Sequence, residues 1–470
     1  MESLPTFEPY VLSPLDHNTG PIHLSGFFTF YLKSPAVAIQ VLEDGVLCLI
    51  KSLPFLAGNV TASSQLPGKE NVYEVQPPTA EILQDYPMLR IRHHKQAVAP
   101  DSPSGNFSYD SLLNEDFVPL PFTMAAEELS PVLRFQANIM QDGVILCLCF
   151  HHMAMDGTGV TNVLTSLAEF CRNPRLGLSA LQTDPYKEAQ TRRMILEAGN
   201  AQGVHSELHS HFGAMPELSN APVSRILILD PEKIRYLREA ITTLLRGRLG
   251  IQDISLSNHV IVSAVLWLGI IRSRYGPMSP KDQKDSHLLT MSEVRNILQP
   301  ALPHSYIGNA LAFVETHFSI ERVLSHSSSS EGQLFTSNGV RTSDINLLAE
   351  MALSIDKVLH QVTDKYVRNL ISRISTSSDW TVSPRAGDLS LSSIRNLNFY
   401  DIDFGPHLGS VRHFDIPENR IAGLSWVLPA RFSGSSAPWE IRLPLEPAVM
   451  ERLQMDTLIK WASLKNLSKL

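Results

Sequence analysis

The sequence predicts an α/β protein of two halves with mixed sheets, joined by a crossover linker. Three observations carry this. The chain has 470 residues, more than one ordinary core holds. Stretches of strand character alternate with stretches of helical period throughout, and no short repeat is present. One segment, 182–222, is polar, rich in histidine and without a sustained period, and it separates an N-terminal domain, 1–181, from a C-terminal domain, 223–470.

In the first half, Ser34-Pro35 reads as an N-cap followed by proline at the first helical position, opening a helix to about Ser52. Pro54 and Gly58 punctuate. Val144 to Phe150 is a continuous apolar run of strand length, suited to a buried strand. A turn at Asp156-Gly157 leads into a helical pattern from Val160 to Cys171, ended by Asn173-Pro174.

The second half opens with a strand at Val223 to Leu229. Ser257 caps a helix that is apolar nearly all round, from Val260 to Ile271, and ends at Gly276. Ser325 to Ser330 reads as a serine-rich loop, and Asp344 to Ser372 as one long amphipathic helix. Ile421 to Leu428 and Trp439 to Leu445 form a hairpin pattern around Phe-Ser-Gly-Ser-Ser, and Glu446-Pro447 opens a last helix.

Composition narrows the class. Hydrophobic residues make up 43% and charged residues 18%, the balance of a globular chain. The net charge of −8 argues against nucleic acid as a partner. The longest apolar runs are too short for a bilayer, and the start, Met-Glu-Ser-Leu-Pro, lacks a secretory pattern. The expectation is a protein that is neither secreted nor inserted in a membrane. Cys48, Cys147, Cys149 and Cys171 form no CxxC pair, so core thiols are expected and no metal site or disulfide framework.

The chemistry concentrates at His151-His152-Met-Ala-Met-Asp156-Gly157, directly after the buried strand. A histidine there is held by a rigid strand yet can reach a cavity. Imidazole titrates near neutrality, which suits proton removal from an attacking alcohol or amine. Asp156 can orient the ring, or point away and anchor the loop to a cation. Gly157 fits a tight turn. On spacing alone, a polar turn at a strand end is the commoner reading.

The wider chain adds weight. It resembles the BAHD acyltransferases, especially their fungal secondary-metabolite branch, along nearly its whole length. His152-Met-Ala-Met-Asp156-Gly157 matches the family's HxxxDG motif, and Asp403-Phe404-Gly405 the start of its DFGWG motif, after Asn398-Phe399-Tyr400-Asp401. Leu12-Ser13-Pro14-Leu15-Asp16, Pro54-Phe55-Leu56-Ala57-Gly58, Tyr306-Ile307-Gly308-Asn309-Ala310 and Val294-Arg295-Asn296 match in order.

The resemblance implies two chloramphenicol-acetyltransferase-like domains enclosing a tunnel, with acyl-CoA (acetyl-CoA or longer) entering from one face and a small-molecule alcohol or amine from the other. It implies His152 as general base in a direct transfer without an acyl-enzyme. Nothing is permanently bound, and the unit is a monomer. Asp156 would be structural, with Arg295 as its candidate partner, because a buried carboxylate without one is costly. Asp403 would brace structure away from the reacting atoms. Asn309 would support the tunnel backbone or form a turn after Gly308, and His151 is read as a packed residue.

Two departures matter. Pro406-His407 stands where the family often has Trp-Gly, so the oxyanion donor is open among backbone N–H groups, Ser392, Ser393 and His407. His407 itself reads as a loop residue. Ile297 replaces the second arginine of the strand motif. Arg412 and Lys460 are candidate phosphate contacts carrying little signal.

Two rivals remain. A stand-alone condensation enzyme shares the doubled histidine and would use a carrier-protein thioester. A non-catalytic ligand-binding relative would explain the departures.

The last three residues, Ser468-Lys469-Leu470, have the form of a peroxisomal import signal. Such an ending arises by chance in about one chain in a few thousand at average composition. The expectation is an import receptor as partner and a peroxisomal location, with the cytoplasm as the alternative. A fluorescent protein fused in front of the chain should give puncta with a peroxisomal marker, and deleting Leu470 should disperse them. Puncta that survive the deletion would refute the address.

Overall fold

The computed structural model describes residues 4–98, 112, 114–121, 130–175, 181–199, 222–250, 254–275, 283–328, 334–382, 387–417, 421–434 and 436–464. The apolar run around residue 147 becomes the strand Gly143–His151, buried at every position. His23–Tyr31 and Leu133–Ile139 flank it, both antiparallel. Leu89–His93 lies parallel to Leu133–Ile139. At the other edge, His413–Asp415 reaches back from the C-terminal half to pair with His23–Tyr31. A continuous apolar strand needs cover on both faces, and the centre of this five-stranded sheet supplies it.

A second, six-stranded sheet has the order Leu311–Ser319, Asp285–Glu293, Leu389–Ser393, Leu424–Val427, Trp439–Leu445, Val223–Leu229. The two pairings made by Leu389–Ser393 are parallel and the other three antiparallel, so it is mixed as expected. The helix Asn258–Arg274 is buried on nearly every side against it, capped by Ser257, whose hydroxyl accepts from the Val260 N–H. A small four-stranded sheet completes the strands described.

The two large sheets are tied together by buried charge. Arg442 on Trp439–Leu445 bonds Asp415 on His413–Asp415, with both side chains sealed from solvent. Phe399, Phe404 and Phe414 join the core of the N-terminal sheet, Phe404 standing edge-on to Phe30 at 5.1 Å. The segment 397–416 therefore packs on the N-terminal core.

Several elements differ from the expectation. The first long helix runs Val37–Ser52, and Ser34 and Pro35 form a turn before it instead of its cap. The helix after the histidines starts at Gly157, with Asp156 as its N-cap. Gly157 is thus a first-turn helical residue and not the pivot of a tight turn. The segment 182–222 contains a helix, Pro185–Gly199, opened by Asp184, whose carboxylate accepts from Lys187 N–H. Its polar residues hid it, because several of them are buried and bonded. The presumed long helix is two, Thr342–Leu359 and Asp364–Thr376, divided where Thr363 caps the second. A helix Ile320–Ser328 covers part of the serine run. The helix opened by Pro447 ends at Met455, and Asp456 caps a short one, Thr457–Ala462. Gly276 and Ser468-Lys469-Leu470 lie outside the described residues. Among the described residues no helix is long and apolar enough to cross a membrane.

Candidate active site

His152 sits one residue beyond the central strand, and its backbone is held on both sides. Its N–H donates to Ile22 C=O at 2.8 Å. Its C=O accepts from Asn309 Nδ2 at 2.8 Å and from Thr19 Oγ1 at 3.1 Å. Asn309 is held in turn by Asp16, whose Oδ1 accepts from both the Asn309 backbone N–H and Nδ2, at 2.8 and 3.1 Å. Asp16 owes its place to a capping box with Ser13 at the start of the helix Pro14–His17. Two segments nearly three hundred residues apart thus meet behind the histidine. Burial raises the Asp16 carboxyl above its ordinary value, with the bonds from Asn309 and Ser13 opposing it.

The ring of His152 opens onto two cavities. One, of about 380 Å³, lies between the start of the helix Gly157–Arg172 and the segment 392–399. The other, of about 210 Å³, is walled by Ile22, Leu289, Phe313, Leu424 and other apolar side chains. Leu24, His152, Met291, Leu311, Ser392 and Trp426 belong to both walls. Nδ1 is sealed from solvent, so the ring meets the cavities through its Nε2 edge. Burial pushes its pKa below the ordinary imidazole value, with the Asp156 carboxylate and nearby peptide groups pulling back. A neutral ring beside two cavities can accept a proton.

Asp156 lines the cavity of about 380 Å³ as well, but its carboxylate is bound to groups other than the ring. Its Oδ1 accepts from Gly159 N–H at 2.9 Å and its Oδ2 from Ala310 N–H at 2.9 Å. Arg295 bonds both oxygens, at 2.9 and 3.0 Å, with both side chains essentially inaccessible. Arg295 also donates to the carbonyls of Tyr306 and Gly308 and to Glu293. Burial works against its charge, yet the Asp156 and Glu293 carboxylates outweigh it and its pKa is raised. Of the two readings of Asp156, anchoring to a cation is the one the geometry follows. Gly159 is the glycine this junction requires, since a Cβ there would stand 2.0 Å from the Ile307 carbonyl oxygen.

Other expected residues lie elsewhere. Asp403 is exposed and lines neither cavity at His152; its Oδ1 accepts from Gly405 N–H, and its carbonyl accepts from Arg172 at the end of the helix Gly157–Arg172. Gly405 adopts φ 88°, where a side chain would be strained. His407 is exposed and lines neither cavity, whereas Ser392 and Ser393 lie in the cavity walls. Arg412 and Lys460 are exposed and away from both cavities. His151 is buried and meets His23 edge-on at 5.0 Å. Thr19 and Gly159 were missed by sequence reasoning, and Asp16 stood only in the Leu12-Ser13-Pro14-Leu15-Asp16 match, with no role assigned to it. The S-x-x-D spacing of Ser13 to Asp16 is a readable cap, but nothing in it points to a histidine.

The Transferase family model matches residues 105–457, three quarters of the chain, and a model of the trichothecene 3-O-acetyltransferase-like N-terminal domain matches 25–171. The chain belongs to the BAHD transferase family. Among its relatives, the communesin N16 acyltransferase of Penicillium expansum is 31% identical over 98% of this chain and 99% of that one. The fumigaclavine B O-acetyltransferase of Aspergillus fumigatus is 29% identical over the full length of both. The BAHD fold is shared with F. graminearum TRI101, solved with coenzyme A and deoxynivalenol, at TM-score 0.73 and 17% identity over 97% of this chain and 98% of that one. Vinorine synthase aligns at TM-score 0.64 and 15% identity, over 98% and 95%.

Proposed function

We propose that this acyl-CoA-dependent acyltransferase joins its two substrates at His152, each entering one of the two cavities. The observation that carries the reading is the histidine ring in the wall common to both, with its backbone pinned and its Nδ1 sealed. Nε2 takes the proton from a hydroxyl or amine of a small molecule as that group attacks the thioester carbonyl. The tetrahedral adduct collapses, expelling the coenzyme A thiolate, which recovers the proton from the imidazolium. No acyl-enzyme forms. Asp156, Arg295 and Asn309 hold the base in place and do not touch the reacting atoms. Relatives named for O-acetylation and for acylation at a nitrogen support both acceptor types, in fungal secondary metabolism.

Ser392, in both cavity walls, is the donor we assign to the oxyanion. The test is release of free coenzyme A from acetyl-CoA and longer acyl-CoAs against a panel of alcohols and amines. Turnover only from a carrier-protein thioester would make the chain a condensation enzyme, and no release with any pair would make it a binding protein. Ser392→Ala should lower kcat ~10²-fold with KM little changed. An unchanged kcat would move the donor to Ser393 or a backbone N–H.

A further inference from the structure

We propose that Glu188, on the crossover helix Pro185–Gly199, is a positioning residue that fixes His152 through the loop 306–310. The inference rests on His152 being the base. Glu188 is 1% exposed. Its Oε1 accepts from Thr183 Oγ1 at 2.7 Å, and both its oxygens accept from the Ile307 N–H, at 3.1 and 3.3 Å. Ile307 opens the segment on which the whole site leans. Its carbonyl lies against Gly159. The Tyr306 and Gly308 carbonyls hold Arg295, the Asn309 side chain holds the His152 carbonyl, and the Ala310 N–H holds Asp156. One carboxylate on the linker therefore grips the loop that grips both the base and the aspartate.

The grip depends on charge. A carboxylate offers two acceptor oxygens to one N–H and a hydroxyl. The protonated acid gives up part of that capacity, because one oxygen becomes a donor. The charged and titratable groups around it are few. Arg192, on the same helix, lies 3.9 Å away, and its guanidinium stacks over Tyr10 at 3.7 Å. Arg295 is the cation on the other side of the loop, and Tyr10, Tyr306 and Asp16 complete the surroundings. Burial pushes the Glu188 carboxyl up to about 7, with Thr183, Arg192, the Ile307 amide and Arg295 drawing it down. The linker thus carries a carboxyl whose charge changes at about pH 7.

The carboxyl in the fold titrates at about 7 and ordinarily at 4.5, so its contribution is most favourable below 4.5 and is lost as pH rises through 7. Glu188→Gln keeps the shape and removes the charge. Its melting temperature should exceed the parent's, by a gap that widens from pH 4.5 to about 7 and then stays level. With acetyl-CoA as donor and the acceptor found by the release screen, kcat of this variant above pH 7 should fall about tenfold, within the ~10²-fold that a remote misplacement can cost. KM for acetyl-CoA should hold. The parent's kcat should decline as pH drops through about 7, and Glu188→Gln should lack that limb, keeping only the lower one set by His152. Glu188→Asp, which still titrates, should keep it.

A parent-like pH profile in Glu188→Gln overturns the proposal. So does a loss of kcat that is uniform with pH and accompanied by a lower melting temperature at every pH, the signature of a merely structural residue. His152→Ala, run beside it, separates the two readings. If His152→Ala stays active, the base is wrong. If it is inactive while Glu188→Gln behaves as the parent, only the role of Glu188 fails.

Discussion

His152→Ala should lower kcat ~10²–10⁴-fold, the range of general-base help, with the melting temperature unchanged. The ring makes no hydrogen bond on which the fold relies, since the Ile22, Thr19 and Asn309 contacts all use the His152 backbone and survive the substitution. What is removed is an imidazole that burial keeps neutral and ready to take a proton. His151→Ala should do the reverse. That ring is buried against His23 and lines neither cavity, so its loss leaves a void that lowers stability while turnover falls little. Rate assays and thermal melts of both variants settle the matter. Equal kinetic losses in the two, with normal melting, would mean that the proton is taken by another group.

What the sequence made legible follows from how local each signal is. The strand Gly143–His151 and the helix Asn258–Arg274 were readable because a continuous apolar run and a capped, all-round apolar helix are local patterns. The helix Pro185–Gly199 escaped because Glu188, Thr191 and Arg192 are buried polar residues and leave no apolar stripe, although Asp184-Pro185 is a readable start. The break at residue 363 escaped because the apolar period resumes on the far side of it. In the site, His152, Asp156, Arg295 and Asn309 stood in recognisable motifs, and the structure brings all four together. Asp16, Thr19 and Glu188 could not be placed there. Each acts on backbone groups 119 to 293 residues away, and no period or spacing records a contact of that kind. Asp403, expected to brace structure away from the reacting atoms, closes a turn beside the end of the helix Gly157–Arg172 and lines neither cavity.

Asp156→Asn should cost about 3–5 kcal/mol of stability, the usual loss when one side of a buried ion pair is removed. Four bonds end on the carboxylate, two from the Arg295 guanidinium and one each from the N–H groups of Gly159 and Ala310. An amide offers one acceptor oxygen in place of two, and its NH₂ would point at a guanidinium or an N–H. Arg295, wholly buried, would then keep only the exposed Glu293 carboxylate as its counter-charge. Turnover should fall as well, because the helix Gly157–Arg172 and the loop that braces the His152 carbonyl share this anchor. Denaturant melts of Asp156→Asn, Arg295→Gln and the double variant test the account. The double variant should lose less than the sum of the single ones, since removing the second charge relieves the penalty left by the first. Strict additivity would mean that the two residues stabilise the fold independently. An Asp156→Asn protein that melts with the parent but is inactive would make the carboxylate a participant in the reaction instead of its anchor.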